Sequence, residues 1–240
     1  MAVLEATAQT RDPEAELNDL RMSDAVQPLL DAVKQHIADN VAPIAEEFYR
    51  LGEGRADRWS WAPGQLELLE GAKNKAKASG LWNFFLPTSE IGRGLTNLDY
   101  AYIAVELGKQ PLASESLNCS APDTGNMEVL ERCGTPEQKK QWLEPLLNGE
   151  IRSCFGMTEP GLASSDAKNI ACRAELVGGE WVINGEKYYI SGAGDPRCKI
   201  MILMVQTSPN APARGGAERS RSRALRPAGC SLPARARSPA

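Results

Sequence analysis

Residues 154–194 read CFGMTEPGLASSDAKNIACRAELVGGEWVINGEKYYISGAG, and this stretch decides the fold. From Ile151 onward the spacing of apolar residues changes from helical to alternating. Residues 153–157 form a short strand candidate, residues 171–177 alternate, and Gly178-Gly179-Glu180 supplies a turn before Trp181-Val182-Ile183. Residues 181–183 and 187–191 flank an Asn184-Gly185 turn, and residues 199–206 are nearly continuous Ile, Leu, Met and Val. Short β-rich segments punctuated by glycine turns predict a small antiparallel sheet or barrel.

Toward the N-terminus the period is helical. After a polar leader over residues 1–22, Val26, Leu29, Leu30, Val33, Ile37, Val41, Ile44, Ala45 and Phe48 recur at spacings of three and four, one face of a long helix over residues 23–51. Ser23 is placed to cap its start, and Pro43 is expected to kink or divide it. Pro63-Gly64 opens a second helix that Gly80 closes, followed by the apolar connector at residues 81–87. A third helix runs from Asn97 or Leu98 to Gly108. Two more cover roughly residues 123–132 and 136–147, the last with Thr135 at its cap and Pro136 at its first position. A helical domain over residues 23–150 followed by a partial β domain over residues 151–210 is an α+β order.

Residues 211–240 hold seven Arg against one Glu, so this tail carries +6 and the rest of the chain −10 of the overall −4. Its Ala, Arg, Gly, Pro and Ser offer too little apolar area to offset the entropy of ordering, which predicts a disordered C-terminal tail. A GC-rich coding frame read out of register yields the same mixture, so the frame is expected to depart near residues 211–213. The acidic body argues against nucleic-acid binding. Six scattered cysteines with no CxxC pair, and His36 as the single imidazole, give no zinc or haem pattern and read as small apolar residues of a reducing compartment. No apolar run reaches membrane-span length, and the leader has neither a signal core nor the composition of a transit peptide, so a cytoplasmic protein is expected.

Three groups of residues, taken in order and spacing, carry a resemblance: Phe155-Gly156-Met157-Thr158-Glu159-Pro160-Gly161, then Ser164-Ser165-Asp166, then Tyr188-Tyr189-Ile190-Ser191. Together with residues 134–143 of the helical region they resemble the acyl-CoA dehydrogenases, within the branch that includes family members ten and eleven. The resemblance implies an FAD-dependent removal of two hydrogens across the α,β bond of an acyl-CoA, as in fatty acid β-oxidation. It implies an electron-transfer flavoprotein as acceptor and a homo-oligomer for the intact family. Flavin contacts carry over to Phe155, Met157, Thr158, Ser164, Tyr189, Ile190 and Ser191, and a substrate contact to Ser165. The loop here is one residue longer than in many relatives, so Ser164 and Ser165 can exchange roles. Tyr189 and Ser191 stand where the family more often has Trp and Thr. The family's catalytic glutamate comes from a C-terminal helical domain, for which this sequence offers no counterpart, so no catalytic base is assigned and the chain is expected to be inactive alone.

Local readings compete with these assignments. Thr158, Ser164 and Asp166 also suit turn caps, Glu159 suits a structural carboxylate better than a base, and Trp181, Tyr188 and Tyr189 suit a sheet. A noncatalytic binding or oligomerisation fragment, and an acyl-CoA oxidase-like flavoenzyme, remain the alternative functions. Gly52-Glu53-Gly54 lacks the context of a dinucleotide loop, and no Walker-type lysine motif occurs.

Overall fold

A computed structural model describes residues 20–87, 91–207 and 223–225. The chain divides into two compact units, residues 1–150 and 151–240.

The first unit is helical. Helix α1 (Gln27–His36) passes through a π-helical turn at Ile37–Val41 into α2 (Ala42–Gly52). Pro43 has no N–H to give, and just before it the Ala42 N–H donates to the Ile37 carbonyl, five residues back. The helix therefore widens by one residue and continues where the proline predicted a kink or break. The same device recurs around Pro145, where α7 (Pro136–Gln138) leads through the π-helical turn Lys139–Leu143 into α8 (Glu144–Leu147). Thr135 and Gln138 close a reciprocal capping box at the start of α7. Ser23 does not cap with its side chain; its N–H instead donates to Asp99 Oδ1 at 2.8 Å.

Helix α3 (Gln65–Ala78) is followed by Gly80 at φ +69°, a left-handed position that suits glycine. Thr96 accepts from the Asp99 N–H and caps α4 (Asn97–Gly108). A one-turn helix, α5 (Ala113–Ser116), precedes α6 (Asp123–Cys133) and has no periodic signal in the sequence. Val33, Val41, Leu69, Ala76, Phe84, Leu86, Ile103, Leu117 and Met127 form the core. The connector contributes more than apolar filling: Asn83 and Asn118, both left-handed, meet through Asn118 Nδ2 and Asn83 Oδ1 at 2.7 Å and donate to the last carbonyls of α8. Trp82 Nε1 adds a bond to the Leu147 carbonyl at 2.7 Å. These side chains satisfy a helix end that would otherwise lack donors. Lys73, fully buried, joins α3 to α5 by reaching Glu70 at 2.7 Å and Glu115 at 3.1 Å.

Among the described residues the second unit holds five strands. Strands β1 (Arg152–Gly156), β4 (Cys198–Leu203) and β5 (Arg223–Leu225) form one sheet in the order β1-β4-β5. Strands β2 (Arg173–Val177) and β3 (Glu180–Asn184) form a hairpin about Gly178 and Gly179. The antiparallel pairing expected from the turns holds for β2–β3 and β4–β5, whereas β1 and β4 run parallel. The long connection between them contains the hairpin and is ample for a crossover. Residues 187–191 do not form a strand; their backbone leaves the extended region at Tyr189, φ +54°. Within residues 211–240, where composition predicts no strand, Arg223–Leu225 pairs with β4; the remainder of that tail, like the leader at residues 1–19, lies outside the described residues. Ile170, Cys172, Ala174, Met204 and Val205 make the core of this unit, with Phe155, Met157, Trp181 and Ile183 packed on it.

Candidate functional site

The site is built where β1 ends. Phe155 and Met157 pack their side chains on the core of the β unit, and the Met157 carbonyl accepts from Lys187 Nζ. Thr158 follows at the strand end, half-buried, and its carbonyl accepts the Tyr188 N–H at 3.1 Å. That bond draws residues 188–191, thirty positions along the chain, against the end of β1.

Glu159 is the centre of a buried junction. Its carboxylate accepts from the Ala171 N–H at 2.7 Å, the Cys172 N–H at 2.9 Å and the Lys187 ammonium at 2.6 Å. The Lys187 and Glu159 side chains are 8% and 4% exposed, and Lys187 Nζ donates a further bond to the Met157 carbonyl at 3.0 Å. Burial pushes the Glu159 carboxyl up, but the Lys187 bond and the two backbone donors outweigh it and hold the group below the ordinary carboxylate range. Three donors thus engage this carboxylate, in keeping with the structural reading of Glu159.

The Glu159 N–H donates to Ser164 Oγ at 2.9 Å, closing the loop through Pro160 and Gly161. Ser164 is buried, as the turn-closing reading requires, and its hydroxyl still carries a donor. Ser165 is exposed beside it. Asp166 Oδ1 accepts from the Lys168 N–H and caps the short 3-10 turn Ala167–Asn169. On the facing segment Tyr189 is 85% exposed and its ring lies 4.3 Å, centroid to centroid, from that of Tyr188. Ile190 is half-buried and Ser191 exposed. The structure thus brings Thr158 and the 188–191 segment together, sets Ser164 and Ser165 on the intervening loop, and adds Lys187, which sequence reasoning passed over. A lysine two residues past an Asn-Gly turn reads as a solvated charge, and nothing local reveals that its ammonium is buried.

His36, a poor candidate base from its helical setting, is buried in the helical unit. Its Nε2 meets Ser116 Oγ at 3.2 Å and its Nδ1 meets Asn40 Nδ2 at 3.3 Å. Ser116 Oγ already donates to the Ala113 carbonyl, so His36 Nε2 carries the hydrogen and Nδ1 accepts. Burial, with a smaller contribution from Lys75, lowers its pKa and keeps the ring neutral. Cys119, Cys154 and Cys172 are buried, while Cys133 is exposed. Among the described residues no helix is long and apolar enough to cross a membrane.

Order and spacing of these residues match two family models, the acyl-CoA dehydrogenase N-terminal domain over residues 23–150 and the acyl-CoA dehydrogenase middle domain over residues 154–219. The chain belongs to the acyl-CoA dehydrogenase family. It is 50% identical over 196 residues to acyl-CoA dehydrogenase family member 10 of Mus musculus, covering 80% of this chain and 18% of that protein. It is 49% identical over 186 residues to the Mycobacterium tuberculosis protein named "Probable acyl-CoA dehydrogenase FadE2", covering 77% and 43%. A solved Mycobacterium abscessus structure assigned as an acyl-CoA dehydrogenase superposes with a TM-score of 0.76 at 42% identity, over 87% of this chain and 51% of that one. An acyl-CoA dehydrogenase from Bacillus anthracis, solved in complex with FAD, shares the fold at 20% identity and a TM-score of 0.59 over 88% of this chain and 32% of that one. The chain spans less than half the length of the curated relatives it matches. The middle-domain match continues nine residues past position 210, where the strand pattern fades from the sequence.

Proposed function

We propose that this chain supplies the flavin-binding portion of an FAD-dependent acyl-CoA dehydrogenase that acts on acyl-CoA thioesters. The observation that carries the reading is the Tyr188 N–H bond to the Thr158 carbonyl, because it sets two otherwise distant polar segments edge to edge. The residues fit a flat, polar-rimmed ring: a strand end with a half-buried Thr158 hydroxyl, an exposed Ser191 hydroxyl, and an exposed Tyr189 face. FAD, when bound, supplies the hydride acceptor for dehydrogenation across the α,β bond. Met157 and Thr158 would hold it by main chain and hydroxyl, Phe155 by the position of the strand, and Tyr189, Ile190 and Ser191 from the facing segment. Ser164 and Ser165 sit on the loop between and are assigned to cofactor and acyl-CoA respectively. Glu159 is not the proton-abstracting base, since its carboxylate is committed to Ala171, Cys172 and Lys187. We assign that base to the family's C-terminal helical domain and to no residue of this sequence. Family resemblance further supports an electron-transfer flavoprotein as acceptor and a homo-oligomeric assembly.

The test is the visible spectrum of the purified chain after FAD loading and desalting. Retained flavin absorbance that does not bleach with an anaerobic acyl-CoA is the expected result. Bleaching would place a base within this chain and overturn that assignment, and a colourless protein would overturn the flavin reading itself.

A further inference from the structure

Lys187 joins three parts of the β unit that the backbone alone leaves apart. Its ammonium touches Glu159 Oε1 at 2.6 Å and the Met157 carbonyl at 3.0 Å, while the next residue along, Tyr188, donates its N–H to the Thr158 carbonyl. The same carboxylate holds the start of β2 through the Ala171 and Cys172 amides. A single buried charge pair therefore fixes the distance between the end of β1 and the segment carrying Tyr189, Ile190 and Ser191. Without it, the direct link between that segment and Thr158 is the Tyr188 backbone hydrogen bond, worth about 0.5–1.5 kcal/mol. Tyr189 adds a reason for the clamp. Tyr189 is a non-glycine residue at φ +54°, 85% exposed, whose ring packs on that of Tyr188, so its conformation is held by the residues adjoining it. Lys187, two residues before it, is the most strongly anchored of them.

We propose that Lys187 is a positioning residue for the cofactor site: clamped by Glu159, it holds the Met157–Thr158 strand end and the Tyr189–Ser191 segment at one fixed separation. The proposal rests on the flavin reading above. It assigns Lys187 no contact with the cofactor, only control of the groups that make such contacts. A partner of Glu159 with a purely structural role would alter stability and leave the affinity of the folded protein for flavin alone. A positioning residue must alter that affinity in molecules that remain folded. Geometric misplacement on the ångström scale weakens such sites by large factors.

The experiment titrates FAD into the full chain and its Lys187→Met and Glu159→Gln variants at a temperature where each is folded by circular dichroism. Flavin fluorescence reports affinity, and the shape of the bound flavin's visible bands reports its surroundings. Amide exchange at Tyr188 reports the bond to Thr158. The expected result is FAD affinity reduced about tenfold or more in Lys187→Met, altered visible bands, and faster Tyr188 exchange. Glu159→Gln, which keeps an acceptor but loses the charge that fixes the ammonium, should fall in the same direction by a smaller factor. It serves as the deciding variant should Lys187→Met not fold. Folded variants that bind FAD within twofold of the original chain, with unchanged bands, overturn the positioning role and leave the flavin reading standing. Absence of FAD binding by the unmodified chain overturns both.

Discussion

Replacing Glu159 by alanine tests the junction at its centre. The substitution removes three acceptor contacts at once: to the Ala171 N–H, the Cys172 N–H and the Lys187 ammonium. Ala171 is exposed and its amide regains water, but Cys172 is buried, and an unpartnered amide there costs about 1–3 kcal/mol. Stripping one partner from a buried ion pair costs about 3–5 kcal/mol, because the remaining charge is left uncompensated. Lys187 keeps the Met157 carbonyl, and the two costs overlap since they share one carboxylate, so they do not add. The lower end, about 3 kcal/mol, is the expected loss in the β unit. Against a typical total of about 5–15 kcal/mol this is a large fraction. With a urea slope of about 1–2 kcal/mol per molar, the midpoint moves down by about 1.5–3 M. Urea unfolding followed by amide exchange in peptides spanning residues 171–206 reads the β unit separately from the helices. A loss below about 1 kcal/mol, with the Cys172 amide still protected, would refute the claim that this carboxylate anchors the unit.

The same group sets an acid limit. A carboxylate whose native pKa is depressed contributes stability that is fully present above its unfolded value, near 4.3, and is lost as pH falls through the lower native value, so the β unit should weaken below about pH 4 and Glu159→Gln should flatten that dependence in near-ultraviolet dichroism. Gly185→Ala should destabilise by about 1–3 kcal/mol in thermal melts, because the new Cβ would lie 2.7 Å from Cys172 Cα, a backbone atom that cannot swing aside. Thr135→Ala opens the capping box of α7 and should cost about 0.5–2 kcal/mol, measured by urea unfolding of the helical unit. Iodoacetamide at pH 8 should label exposed Cys133 quickly and leave Cys119 unmodified until denaturant is added, since burial pushes the Cys119 thiol up to about 12; mass spectrometry of tryptic peptides decides it.

Local chemistry made the helical unit legible. Thr135-Pro136 with Gln138 three residues beyond Thr135 is a cap that needs no tertiary context, and the apolar stripe from Val26 to Phe48 marks one continuous helix. Pro43 misleads because a π-helical turn compensates for its missing donor, and that compensation leaves no trace in composition. In the β unit the glycine turns mark the hairpin, but the parallel partnership of β1 with β4 is a non-local choice. Residues 187–191 look like a strand because they flank the Asn184-Gly185 turn. They are bent instead by a buried ammonium at Lys187 and a left-handed Tyr189, neither of which a local pattern encodes. At the candidate site the residue types were readable from order and spacing, whereas the bond from Tyr188 to Thr158 that unites them is a product of the fold.

The widened turn at Ile37–Val41 also fixes a phase. One residue corresponds to about 100° of rotation about an α-helix axis, and the wider turn absorbs the extra residue so that the buried side of α1 stays in line with that of α2. Deleting Ala38 would therefore restore an unbroken α-helical repeat upstream of Pro43 and leave Val33, His36 and Phe48 facing the interior. The irregular turn thus takes up one residue of length without changing which side of α2 faces the interior.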